Sequence, residues 1–292
     1  MMDYLDILIG STIGTANWVW NLISFNVPWD QNYFYGLLLV SIVVWLLELF
    51  FPWRKLQAAV RKDFWLDAFY MFFNFFIFSI VIAGVYAVIE KLLGGVDVMY
   101  SIALFDKSAL PSWAFLIVFF IVNDFVQWFT HVMLHKFPVL WRFHKVHHSV
   151  QEMGFAAHLR YHWMENILYK PLKTFAVMIL VGAEPEHAFF MHFFSILIGH
   201  LNHANVRITC GPLKYVFNNS VMHLYHHAKE LPVDRANGVN FGISLSIWDY
   251  IFKKNYIPQD QDGSYVLGFE GIENYPKGFF GQLVSGFKKE KY

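Results

Sequence analysis

The chain has 292 residues, of which 57% are hydrophobic, 20% aromatic and only 15% charged. A soluble domain carries about 25% charged and roughly 45–50% apolar residues, so a globule of this size could not hide its apolar surface, and the composition argues for a membrane. The 22 basic and 22 acidic residues cancel, which leaves no field for a nucleic-acid partner. The single cysteine, Cys210, excludes an intramolecular disulfide and any cysteine-based zinc or iron–sulfur centre within one chain. Histidine is in excess: there are 14, and none precedes His131.

No Lys or Arg precedes Arg54, so the chain begins without the basic region of a secretory signal. Residues 1–32 carry Trp18, Trp20, Phe25 and Trp29 among small polar residues. Spaced aromatics of this kind suit an interfacial segment, with a packed or disordered arm as the alternative. Tyr33 to Phe51 is the first long apolar run, sufficient at 1.5 Å per residue to cross a core of about 30 Å. Its one acid, Glu48, lies near an end and is expected to reach the interface. A basic patch follows at Arg54, Lys55, Arg61 and Lys62, and a second run extends from Phe64 to Ile89. The positive-inside rule then puts residues 52–63 in the cytoplasm and 91–112 on the opposite side.

A third helix starts near Trp113 and heads back. From Asn123 onwards polar groups interrupt it, namely Asp124, Gln127, His131 and His135, and a stretch rich in His, Lys and Arg runs from 135 to 166. Two apolar pieces, about 167–182 and 187–201, flank the turn Gly182-Ala183-Glu184-Pro185 and read as a helical hairpin, spanning or re-entrant. If the hairpin returns to its starting side, the histidines before and after it share one cytoplasmic face. The tail after Pro258 is rich in Gly and aromatics with a basic end, and is expected to lie on the surface. The fold expected is all-α: a polytopic membrane protein with about four transmembrane or re-entrant helices and a cytoplasmic helical cap. Residues 1–112 form an N-terminal membrane region, 113–258 the catalytic domain and 259–292 a cytoplasmic tail.

Four histidine boxes stand out: His131-x3-His135, His144-x2-His147-His148, His200-x2-His203 and His223-x2-His226-His227. Residues three or four apart share a helix face, so each box can aim its imidazoles at a common point. At this histidine frequency chance would supply about 0.03 copies of H-x-x-H-H, yet there are two. Imidazole without thiolate suits iron, zinc, copper or nickel and disfavours magnesium and calcium. The boxes offer more nitrogens than one metal can use, so two metals with four or five imidazoles each is the economical arrangement. The soluble di-iron carboxylate bundle needs paired Glu-x-x-His motifs. Only one occurs here, Glu184 to His187, on the side expected to lie across the membrane. Carboxylates should instead stand behind the imidazoles and accept their outer N–H. Asp124 is a candidate, since acids inside membrane helices are costly and functional by default. Glu165 and Asp249 are others, with Asn202, Asn205 and Asn240 as neutral alternatives.

Residues 124–135 (Asp-Phe-Val-Gln-Trp-Phe-Thr-His-Val-Met-Leu-His) and 140–149 (Leu-Trp-Arg-Phe-His-Lys-Val-His-His-Ser) closely resemble the fatty acid hydroxylase/sterol desaturase superfamily of integral-membrane di-iron enzymes. That family's R-x-H-P-x-E segment is similar to Arg160-Tyr161-His162-Trp163-Met164-Glu165. Its H-x-N piece matches His203-Ala204-Asn205, and its closing N-x-G…W-D…F run matches Asn240-Phe241-Gly242…Trp248-Asp249…Phe252. Box order and spacing agree as well, His144 following His135 by only nine positions, as in this superfamily. Three positions depart from it: Val132 stands for Arg, Trp163 for Pro, and Lys253-Lys254 for Gly-Thr. None removes a histidine.

The residues and the resemblance together imply two iron ions (Fe2+/Fe3+), with zinc as a substitute in purified protein, held by His131, His135, His144, His147, His148, His162, His200, His203, His223, His226 and His227. Asp124, Arg160, Glu165, Asn205 and Asp249 are the implied catalytic residues. His158, His187 and His192 are assigned to structure. The expected activity is oxidation of an unactivated C–H bond in a membrane lipid with O2, giving a hydroxyl or, after a second hydrogen abstraction, a double bond. Neither a G-x-G-x-x-G fingerprint nor a His-Pro-Gly-Gly haem motif occurs, so a separate redox protein is expected to donate electrons. The expected location is the bacterial inner membrane, with the endoplasmic reticulum as the alternative. The competing class is a polytopic membrane metal-binding or metal-transport protein, but transporters carry their ligands near the midplane, whereas most boxes here fall at helix ends.

Overall fold

The computed structural model describes residues 4–92, 110–167, 185–235 and 237–288. The first half of the expected hairpin and Glu184 lie outside the described residues, as does most of the loop 91–112. Among the described residues the chain is helical, with only two isolated bridges, Phe217 to Leu245 and Ala228 to Leu267. Three helical stretches are long and apolar enough to cross a membrane: Tyr33–Phe50, Phe64–Leu92 and Ser112–Lys136. The all-α, integral-membrane expectation is met.

Helix α1 (Tyr4–Ile23) packs antiparallel to α4 (Phe78–Leu92). Lys91 lies over the ring of Tyr4, while Val19 and Leu22 join a core with Phe76, near the other end. Gly84 makes this approach feasible, because a Cβ there would lie 2.4 Å from the Leu8 carbonyl oxygen. The aromatic N-terminal segment is thus a packed helix. Asn32 begins α2 (Tyr33–Phe50): its side-chain oxygen accepts from the backbone N–H groups of Phe34 and Tyr35, both at 3.1 Å. This satisfies two of the donors that a helix start leaves unpaired.

The second span runs as α3 (Phe64–Phe72), a π-helical turn (Phe73–Ile77) and α4. Such bulges accompany a local demand on the helix. Here Asn74 sits inside the turn and donates to the Tyr161 carbonyl at 2.8 Å, while accepting from Asn166 at 3.0 Å. A polar side chain within the span therefore ties down the 159–166 segment. The third span is α5 (Ser112–Lys136). Its exposed Trp113, Ile117, Ile121 and Phe129 are spaced in multiples of four and mark one apolar stripe, whereas Asn123, Asp124, Gln127, Trp128 and His131 are buried.

The linker 51–63 folds onto the histidine-bearing end of the bundle. The backbone N–H of Arg54 donates to the side chain of Asn205 at 2.8 Å, and the Arg54 guanidinium donates to the Met153 carbonyl at 2.7 Å. Glu48 does not turn outwards as expected. Its carboxylate accepts from the backbone N–H of Phe155 at 2.8 Å and of Asn205 at 2.7 Å, joining the end of α2 to both neighbouring segments. The C-terminal stretch also packs: in α9 (Phe279–Ser285), Gln282 accepts from the Tyr70 hydroxyl at 3.0 Å.

Because the linker and the histidines share one end, cysteines replacing the exposed Leu56 and Val233, in a Cys210→Ser background, should be labelled from the same side of the membrane. Labelling from opposite sides would contradict this arrangement.

Candidate metal centre

Pro138 controls how the first two boxes meet. A residue before proline is driven from the helical region, and Phe137 is extended at φ −95°, ψ 118°. Proline is also well suited to the first position of a new helix. The chain turns there, and α6 (Pro138–His148) folds back so that the His144 ring centre lies 5.1 Å from that of His131 and 5.0 Å from that of His135. The last turn of α7 (Pro185–His203) supplies His203. Helix α8 (Ser220–His226), capped by the Asn219 side chain, brings His226 to 4.6 Å from His131.

The imidazoles sort into two buried groups. One contains His131, His135, His144, His148 and His226; the other contains His147, His203, His223 and His227. Within each group one ligand atom per residue lies within 4.8 Å of all the others. The groups adjoin, with the His148 and His227 rings stacked at 4.3 Å. The expectation that each box aims at a single point needs correction, because both H-x-x-H-H boxes are divided. A helix turns about 100° per residue, so positions i and i+4 differ by about 40° but i+3 and i+4 by about 100°. His144 stays with His148, and His223 with His227, whereas His147 and His226 cross to the opposite groups.

Hydrogen bonds at Nδ1 fix the state of Nε2. His131 donates to the Phe241 carbonyl at 2.8 Å, His226 to that of Val239 at 2.7 Å, His147 to that of Arg160 at 3.1 Å and His203 to that of Gly199 at 2.7 Å. A carbonyl only accepts, so the proton is on Nδ1 and Nε2 carries a lone pair. All five Nε2 atoms of the first group are buried without a partner. In the second, His203 Nε2 lies 3.3 Å from His147 Nε2 and 3.0 Å from His223 Nε2. His147 and His203 therefore face each other lone pair to lone pair. At about 1–3 kcal/mol for each unsatisfied buried group, five would cost on the order of 5–15 kcal/mol, comparable with the whole stability of a domain. A cation removes that cost, and the donor set fits one. Burial also holds the imidazoles of His144 and His147 down to about 3, which keeps them in the neutral, metal-binding form.

The carboxylates act at different distances from the rings. Glu165 meets an imidazole directly, its carboxylate 3.2 Å from His144 Nδ1, and burial pushes its carboxyl up to about 7. Asp124 and Asp249 instead hold the loop that supplies the carbonyls. Asp249 accepts from the N–H groups of Phe241 at 3.0 Å and Gly242 at 2.9 Å, and from Trp128 at 2.8 Å. Asp124 accepts from the N–H groups of Ser244 at 3.1 Å and Leu245 at 3.3 Å, and from Trp248 at 2.9 Å. Between them Asn240 adopts φ 55° and bonds to the Met222 and Tyr256 carbonyls, with Val239 and Phe241 on either side. Left-handed backbone of this kind is tolerated by asparagine better than by most residues.

Other expected site residues lie outside the two groups. His162 Nε2 donates to the Leu283 carbonyl at 2.9 Å and its Nδ1 accepts from the Met164 N–H at 3.1 Å, so neither nitrogen has a lone pair left for a metal. His200 is turned away, 3.2 Å from the Ser41 hydroxyl and 3.0 Å from His158 Nδ1. Asn205 braces the 51–63 linker rather than an imidazole. Arg160 contributes its carbonyl to His147, while its guanidinium donates to Asp67 at 3.0 Å and Asp63 at 3.4 Å. Arg61 pairs with the other oxygen of Asp67. Sequence reasoning missed Asp67, although an acid within the apolar run from Phe64 carried the same signal as Asp124.

Residues 116–254 match the family model described as Fatty acid hydroxylase. This stretch, just under half of the chain, is its fatty acid hydroxylase family region. All nine histidines of the two groups fall within the fatty acid hydroxylase match, whereas Arg61 and Asp67 precede it. Ornithine lipid hydroxylase OlsE of Rhizobium tropici is 30% identical over 170 residues, 58% of this chain and 49% of its own length. Alkylglycerol monooxygenase of Caenorhabditis elegans is 27% identical over 168 residues, 56% of this chain and 30% of its own. The human alkylglycerol monooxygenase is 28% identical over 155 residues, 51% of this chain and 32% of its own. The chain thus spans half or less of the length of these relatives. No solved structure matches it.

Asp67→Ala would leave the buried guanidinium groups of Arg61 and Arg160 without their shared partner. It is expected to destabilise the fold by about 3–5 kcal/mol, read as a lower Tm in detergent. Asp124→Asn keeps the shape but alters the loop that positions the Phe241 carbonyl, and should weaken metal binding about 10–100-fold in a competitive chelator titration.

Proposed function

We propose that this chain is a membrane-bound dimetal oxygenase that hydroxylates a lipid, using O2 and electrons from a separate donor protein. The observation that carries this reading is the pair of adjoining all-imidazole groups, in which the Nδ1 atoms of His131, His147, His203 and His226 are committed to carbonyls and that of His144 to Glu165, leaving Nε2 facing inwards. Iron is the metal proposed, because zinc has no redox chemistry and oxidation of an unactivated C–H bond requires it. Two bound irons would supply the activation of O2 and the oxidising power for C–H cleavage. Similarity to an ornithine lipid hydroxylase and to alkylglycerol monooxygenases favours hydroxylation over desaturation and a lipid as substrate.

The protein's own residues supply position and enclosure. Five imidazoles would hold one iron and four the other, while Glu165 and the carbonyls of Phe241, Val239, Arg160 and Gly199 keep the rings oriented. Trp141 and Phe241, packed against His135 at 4.8 and 5.0 Å, help exclude water, which limits side reactions of an oxidising site. We assign residues 113–258 as the catalytic unit and 1–112 as the membrane region that braces it. The basic linker 52–63 favours a cytoplasmic position for the site.

Anaerobically iron-loaded protein should hold two ions per chain. His147→Ala and His227→Ala, one group having lost a ligand in each case, should abolish turnover while leaving membrane insertion intact. Product should carry one added oxygen atom by lipid mass spectrometry and should require both O2 and an electron donor. Stoichiometric product without O2, or a single bound ion, would overturn this function.

A further inference from the structure

Two segments beside the metal centre expose more apolar surface than a water-facing cap should. Residues 211–217 are fixed against 244–252 by the Phe217–Leu245 bridge, by the Ser246 N–H bonded to the Val216 carbonyl at 2.9 Å, and by the Ser246 hydroxyl bonded to that of Lys214 at 2.7 Å. On the joint face Leu213 is 59% exposed, Tyr215 55%, Ile251 57% and Phe252 48%, and Phe217 is exposed beside them. A contiguous apolar patch of this kind on a folded surface marks an interaction site. The patch joins the third span: the Phe252 ring stacks on Trp128 at 4.8 Å and lies 6.2 Å from Phe125. Phe125, itself half-buried, falls on the four-residue spacing of α5 between exposed Ile121 and Phe129. These contacts fall 8 to 11 residues before the end of α5 at Lys136, or about 12–17 Å back along the span at 1.5 Å per residue.

Charge completes the pattern. Segments 206–217 and 247–256 hold Arg207, Lys214, Lys253 and Lys254 against a single acid, Asp249, and Asp249 is fully buried. Lys253-Lys254 is also where this chain departs from the Gly-Thr of the superfamily it resembles. Apolar side chains edged by cations suit the boundary between acyl chains and anionic headgroups.

We propose that residues 211–217 and 250–252 dock into the bilayer itself, with Lys214, Lys253 and Lys254 meeting anionic phospholipid headgroups. The partner is the lipid leaflet, and the face extends the lipid-facing stripe of α5 onto the histidine-bearing cap. The inference rests on the membrane fold and the exposed surface, not on the reaction carried out by the histidines.

The test uses the full chain in proteoliposomes of phosphatidylcholine, with or without phosphatidylglycerol. Single cysteines at Leu213, Phe217 or Ile251, in a Cys210→Ser background, would carry an NBD label, with fully exposed Val233 as the reference position. Labels at the three patch positions should emit further to the blue and be quenched by doxyl-labelled lipid but not by iodide, whereas the label at Val233 should show the reverse. Quenching by iodide at Leu213 and Phe217 equal to that at Val233 would overturn the proposal. Shielding from both quenchers would also overturn it, because a protein partner or second copy would then cover the face. The combined Lys214→Glu, Lys253→Glu and Lys254→Glu variant should increase iodide access at Leu213 several-fold in phosphatidylglycerol vesicles only. An unchanged response there would remove the headgroup contact. Since each labelled variant alters one exposed position, the lipid result does not depend on the charge-reversed variant folding.

Discussion

The cost of burying unpaired imidazole nitrogen governs this structure. Nine histidines are gathered where water cannot satisfy them, and the surrounding bonds make the problem sharper rather than milder. By accepting from Nδ1–H, the carbonyls of Phe241, Val239, Arg160 and Gly199 leave Nε2 as a bare acceptor aimed inwards. A cation among donors arranged in this way would remove that cost, which would couple metal affinity to folding.

That constraint explains features far from the rings. The loop 239–249 has to present two carbonyls at fixed positions, and two buried aspartates hold it by its N–H groups. Arg160 offers its carbonyl to His147 while its guanidinium is held by Asp67 in the second span and by Asp63 just before it. Gly199 leaves room for His158, whose ring nitrogen would lie 2.1 Å from a Cβ at that position. The membrane helices thus do more than retain the domain in the bilayer, since they set the angle at which individual imidazoles enter the site.

The same arrangement relates the site to its solvent. The histidine end of the bundle is closed by the linker 51–63 and by the C-terminal helix, through Arg54 with Met153 and Tyr70 with Gln282. Another flank carries the exposed apolar stripe along α5 and the exposed apolar face that joins it. A buried site with an apolar flank would suit the lipid oxidation proposed above.

Composition, apolar run lengths and histidine spacing were sufficient to indicate a helical membrane protein with clustered histidines able to bind metal, because span length and the four-residue step belong to a single helix and need no partner. The three spans and His131, His135, His144 and His148 follow from such local periodicity. Local periodicity could not say that His147 and His226 would change groups, since the relevant neighbour comes from another helix. Nor could it turn His200 towards Ser41, bond both nitrogens of His162, or send Asp124 to a loop 120 residues away. Those outcomes depend on which buried donor finds which acceptor once the helices are packed, and a buried polar group takes the partner that packing puts within reach, whatever its distance along the chain.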